Sequence, residues 1–196
     1  MRLTEEIGGQ LDCPIVAMKD TNLAVLAEHR HGTGRDVSHV LYVHVGHRLG
    51  VGLLIDGRPF TGGTGAAGEI GRHPGLGWEQ APARLLAEAG ANAIEAVFTR
   101  ARQGEPKALS AVDGFAQALA NGIGAMVLAV DPQLIVIGGG VAKAGTTVLQ
   151  PIARHLTSLC YEVPDLQIST LGEDAVTIGA IEVARDRVRA ELFADS

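Results

Sequence analysis

Nine of the 26 glycines lie between Gly46 and Gly71, and that stretch ends in Gly62-Gly63-Thr64-Gly65-Ala66-Ala67-Gly68-Glu69-Ile70-Gly71. Glycine loses more conformational freedom on folding than any other residue. Such density within strands therefore points to tight turns, positive φ angles, or backbone that must approach a ligand closely. A second cluster, Gly138-Gly139-Gly140, follows the apolar run Leu134-Ile135-Val136-Ile137 and precedes an expected helix, whose N-terminus would favour an anion. Two glycine clusters at strand ends mark a ligand cleft, or the relic of one. Around them stand side chains with chemistry to offer. Asp20 opens an apolar helix and reads first as its cap. Glu69 and Arg72 are close enough to pair, and the planar fork of Arg72 also suits an anionic group. His44 and His47, and His29, His31 and His39, have metal-compatible spacings. On a strand, however, positions 44 and 47 point to opposite faces, and no cysteine lies near, so no metal site is expected. Trp78, after a Pro-Gly-rich loop, reads as a packing plug, with stacking on a ligand ring as the other option.

These groups need elements to hold them. Residues 14–18 read as a short strand, and a helix runs from Asp20 or Thr21 to about Arg30. Residues 38–45 and 50–55 are strands. Asp56-Gly57 is a hairpin-turn signal that returns residues 58–61 antiparallel. Residues 79–89 and 91–103 are amphipathic, and 106–130 carries one or two further helices, with Gly122 and Gly124 implying close helix–sheet packing. A strand at 134–137, a helix at about 145–159, a strand at 166–170 and a helix at about 175–192 complete the order. Strands joined through long helices pair in parallel by right-handed crossovers. The expected architecture is α/β: a mixed five-stranded sheet with an antiparallel edge and helices on both faces, the ribonuclease-H-like pattern. Residues 1–35 are expected to be the end of a preceding lobe, with the domain proper at 36–196.

Composition narrows the function classes. The chain has 196 residues, is 46% hydrophobic and 4% aromatic, and carries a formal net charge of −6, which argues against its gripping a nucleic-acid backbone. Cys13 and Cys160 are far apart and read as buried thiols in a reducing compartment, hence a cytoplasmic setting. No signal peptide is visible at the N-terminus, and no run of about 18 consecutive apolar residues indicates a membrane span.

Five ordered segments resemble the ROK family (repressors, open reading frames and kinases), of the actin-like sugar-kinase fold. They are Cys13-Pro14-Ile15-Val16 leading into Asp20-Thr21-Asn22-Leu23-Ala24, Gly46 to Gly57, Gly65 to Gly71, Asp131 to Gly140, and Leu171 to Ala175 with Gly179-Ala180. Most specific is Gly65-x-x-Gly68-Glu69-Ile70-Gly71. The resemblance implies that Asp20 is the general base or a sugar ligand and that Glu69 holds sugar hydroxyls. It places Gly46 and Gly138–Gly140 near a nucleotide. Departures are as plain. His47 and Arg48 replace small residues of a phosphate loop and are expected to fill the space its amides would offer. Lys19 replaces an Asn, Arg72 replaces the closing His with His73 one place late, and the family's Cys-rich zinc loop has no counterpart. Nor does its N-terminal phosphate loop.

The reading favoured by these departures is the effector-binding and dimerisation domain of a ROK-type transcriptional regulator, without kinase activity. A sugar or sugar derivative would bind at Asp20, Glu69 and Arg72. A helix-turn-helix module outside this chain would hold the DNA. No resident cofactor is expected, and MgATP only for a kinase. The alternatives are the C-terminal lobe of an ATP-dependent sugar kinase, and a dimerisation scaffold that binds nothing.

Overall fold

A computed structural model describes residues 3–11 and 13–193. After helix α1 (Leu3–Gly8) and an extended segment comes α2 (Asp20–His31), then strands β1 (Val40–Val45), β2 (Leu49–Ile55) and β3 (Arg58–Pro59). Helices α3 (Ala81–Ala89), α4 (Ile94–Arg102) and α5 (Pro106–Val130) follow. The chain closes with β4 (Leu134–Gly138), α6 (Thr146–Leu156), β5 (Asp165–Ile168) and α7 (Ala175–Phe193). The sheet is five-stranded in the order β3-β2-β1-β4-β5, antiparallel across β1, β2 and β3 and parallel across β1, β4 and β5. The expected mixed sheet is therefore present. Its hairpin turns on Asp56 and Gly57, whose φ angles of 51° and 71° are those of a turn that matches strand twist.

Alternation along β1 divides the core. Leu41, Val43 and Val45 face α3 to α6, while Val40 and Tyr42 face α2 and α7. Burying each such side chain contributes about 1.5–3 kcal/mol before ordering costs. Helix α5 is long and apolar enough to cross a membrane by length and composition alone, yet 61% of its apolar window is buried inside the molecule. It is the central helix of the larger core, packed by α3, α4 and α6.

Several sequence expectations change. Residues 14–18 join no strand of the sheet; Val16 and Met18 instead line an apolar groove against α7. The segment 1–35 contains α2, and that helix lies on the sheet, with Ala24, Val25 and Ala27 buried. Cys13 is exposed and Cys160 half-buried, both free, rather than buried thiols. Gly122 and Gly124 serve contacts other than the sheet. A Cβ on Gly122 would meet the Trp78 ring at 2.4 Å, and one on Gly124 would lie 3.2 Å from Leu159.

Candidate functional site

The site is built on the start of α2 and on one peptide of β2. A side chain at Gly52 would place its Cβ 2.1 Å from the Thr21 carbonyl oxygen, so only glycine lets the first turn of α2 rest on β2. The Thr21 hydroxyl then donates to the Val51 carbonyl at 2.9 Å in a buried bond. The glycine loop crosses the same peptide. Gly68 has φ 80°, and a Cβ there would lie 2.6 Å from the Val51 oxygen. Helix start and loop thus meet over Val51, although their sequences are some 48 residues apart, as Lys19 and Ala67 are.

Lys19 joins them. Its Nζ lies 2.5 Å from Glu69 Oε1 and donates to the Ala67 carbonyl at 3.4 Å. The partner of Glu69 is therefore Lys19, not Arg72. Lys19 also occupies the cap position of α2, with extended backbone and no side-chain cap bond. Asp20 is the first helical residue rather than the cap. Its carboxylate accepts the Thr21 N–H at 2.7 Å and is otherwise exposed, near the positive end of the helix dipole.

Beyond Glu69 the chain makes two short 3-10 turns, Ile70–Arg72 and Pro74–Leu76, the second held by Gly75 N–H donating to His73 Nδ1 at 3.2 Å. They carry Arg72 into an open depression of about 450 Å3, shared with His47, Arg48, Leu49, Glu69, Trp78 and Glu79. Pockets of roughly 300–1,000 Å3 are the size that small ligands use. Glu69 and Arg72 are brought together here, whereas Asp20 is tied to them through Lys19 and does not line the depression. Trp78 is 1% exposed and its indole N–H donates to the Ala118 carbonyl at 2.8 Å. It is the packing plug expected, with one edge in the wall.

His47 and Arg48 of the β1–β2 turn are both exposed and line the depression, while Gly46 N–H closes the turn on the Arg48 carbonyl at 3.2 Å. His47 is also a wall of a second, smaller depression of about 130 Å3, lined by Gly46, Asn92, Glu95 and Gly140 among others. Of the triple glycine, Gly138 is explained by packing, since a Cβ there would meet the buried Tyr42 hydroxyl at 2.1 Å. Gly139 has φ 81° against the Val45 carbonyl. Only Gly140 lines the depression, at the start of a 3-10 helix running to Ala144. Among the described residues no group of three His, Cys, Asp or Glu is placed to hold a metal. Sequence reasoning missed the reach of Lys19 to Glu69 and the contribution of Asn92 and Glu95. No local signal announces a contact made across so much chain.

Comparisons with known proteins bear on this geometry. The model of the ROK family matches residues 1–82 and 77–187. A glucokinase of Halalkalibacterium halodurans is 30% identical over 217 residues, covering 90% of this chain and 65% of the glucokinase. The chain thus spans just under two thirds of that relative's length. Among solved structures, a ROK hexokinase from Thermus thermophilus superimposes with a TM-score of 0.76 at 27% identity, covering 95% of this chain and 70% of the hexokinase. A ROK family transcriptional regulator, a homologue of the E. coli MLC protein, superimposes with a TM-score of 0.74 at 24% identity, covering 91% and 53%. The curated relatives are named mainly as sugar kinases.

Proposed function

The chain belongs to the ROK family, and from that premise we propose that it forms the sugar-holding lobe of an ATP-dependent sugar kinase. This departs from the regulator reading that the sequence favoured. What supports the change is the likeness of nearly the whole chain to a ROK hexokinase at 27% identity, while His47 and Arg48 still stand exposed at the β1–β2 turn. The kinase names of the curated relatives point the same way. In this reading the sugar extends beyond the lining of the depression to Asp20, which is exposed and among the described residues bonds only within its own helix turn, and Asp20 accepts the proton of the hydroxyl as that oxygen attacks phosphorus. Glu69, with Lys19 holding one oxygen, accepts from sugar hydroxyls through the other, and Arg72 in the same lining orients the ring. The nucleotide would lie on the side of His47, where Gly46 and Gly140 line a smaller depression of about 130 Å3, too small to enclose a nucleotide by itself. MgATP supplies the phosphoryl group. The protein's part is to place the acceptor hydroxyl and its base.

The test is sugar-dependent ADP release by the protein at its native length, across hexoses and N-acetylated hexoses, with Asp20→Asn beside it. Turnover in the wild type that falls by about 100-fold or more in Asp20→Asn supports the reading. Sugar binding without turnover returns the site to a regulator. That second reading is kept open by Arg72 in place of the family's His and by the likeness to a regulator's fold. A scaffold is what remains if Asp20→Ala and Glu69→Ala change only stability.

A further inference from the structure

We infer that the Glu69–Arg72 depression selects a sugar bearing an anionic group, a phosphate or a carboxylate, over a neutral hexose; this rests on the sugar-binding reading of the same site. The protein is acidic, with a net charge of −6, whereas at this depression Arg48, Arg72 and Lys19 against Glu69 and Glu79 leave a formal charge of +1. Arg48 comes from the β1–β2 turn and Arg72 from the first 3-10 turn, so two separate elements contribute arginines to one opening, with His47 beside them. Neither arginine has an acidic partner among the described residues. The two acids in the lining do not cancel them. Glu69 is held by Lys19 at 2.5 Å, from outside the lining, which leaves Glu79, exposed like the two arginines, as the one acid against them.

A neutral hexose offers nothing that needs two guanidinium forks. An arginine fork matches two oxygens of a carboxylate or phosphate at once, which a hydroxyl cannot reproduce. The volume of about 450 Å3 leaves room for a substituent beyond the ring. The ring would lie against Glu69 and its anionic group between Arg48 and Arg72.

The test is calorimetric titration of the native-length protein with glucose, glucose 6-phosphate, glucuronate and inorganic phosphate. The wild type, Arg48→Gln, Arg72→Gln and Arg72→Lys are compared. We expect at least one anionic sugar to bind about tenfold or more tighter than glucose, with the preference weakening as salt is raised. The ratio of anionic to neutral affinity should fall toward one in Arg48→Gln and Arg72→Gln and partly recover in Arg72→Lys, which keeps charge but not the fork. Whichever anionic sugar wins identifies the group as phosphate or carboxylate. Glucose binding as tightly as both anionic sugars overturns the inference and leaves the sugar-binding reading standing. An unchanged ratio in the glutamine variants overturns it too, as does inorganic phosphate binding as tightly as the tighter of the two anionic sugars. If no sugar binds, the sugar-binding reading fails and the inference falls with it.

Discussion

Replacing Gly52 by alanine tests the contact on which the whole site stands. The added Cβ would sit 2.1 Å from the Thr21 carbonyl oxygen, 2.6 Å from its carbon and 3.3 Å from the Asn22 nitrogen. All three are backbone atoms, so no side chain can swing aside. Real Cβ atoms essentially never approach closer than 3.0 Å, so the first turn of α2 must retreat by roughly 0.9 Å. Retreat strains the buried Thr21 hydroxyl bond to Val51 and lifts Asp20, the adjacent residue. Overpacking of this kind costs about 1–3 kcal/mol. In a chain of this size that lowers the melting temperature by roughly 2–12 °C. On the kinase reading, a shift near 1 Å at a reacting group costs up to about 100-fold in rate, so turnover should fall further than stability alone explains. Thermal melting and sugar-dependent ADP release are the two assays. Gly63→Ala is the control: nothing lies within 4 Å of its Cβ, so it should be neutral or stabilising by at most about 1 kcal/mol. If Gly52→Ala melts like Gly63→Ala, α2 does not rest on β2 through its backbone, and the positioning argument for Asp20 fails.

Three further outcomes are expected. Asp20→Asn should abolish phosphoryl transfer while changing stability by about 1 kcal/mol or less, because it gives up only a first-turn charge; parallel melting curves with a dead assay check this. Gly122→Ala should drive a methyl to within 2.4 Å of the Trp78 ring and cost about 1–3 kcal/mol. Trp78 is the single tryptophan, so a red shift of emission reads the displacement directly, and unshifted emission contradicts the packing. Glu182 ties α7 to α2: its pairing with Arg30 above all, and then with His31 and Arg185, holds its carboxyl down at about 2 against an ordinary 4.5. A depressed carboxylate contributes its full stability above its unfolded pKa and loses it as pH falls through the folded one. Between pH 4.5 and 2 the wild type should therefore lose melting temperature more steeply than Glu182→Gln, whereas parallel profiles remove Glu182 as the tie.

The sequence by itself determined the element order from β1 to α7, because each strand and helix carries its own periodicity and its own turn residues. The Asp56-Gly57 turn is one case: both residues take positive φ as their types suggest. It also determined the family, through the ordered glycine segments. Residues 14–18 show where such reading stops. An apolar run of strand length carries no information about whether a sheet edge is there to receive it, and these residues lie along α7 instead. Only the tertiary structure decided what the glycines are for. Gly52, Gly68 and Gly138 give room to a helix turn, the Val51 peptide and a tyrosine respectively, so part of the density first read as a ligand's imprint is packing. Likewise only the fold decided that Glu69 pairs with Lys19 rather than with Arg72 three residues away. Sequence proximity sets which partners are near along the chain. The close passage of α2 and the glycine loop over one peptide of β2 sets which are near in space, and the ion pair follows the second.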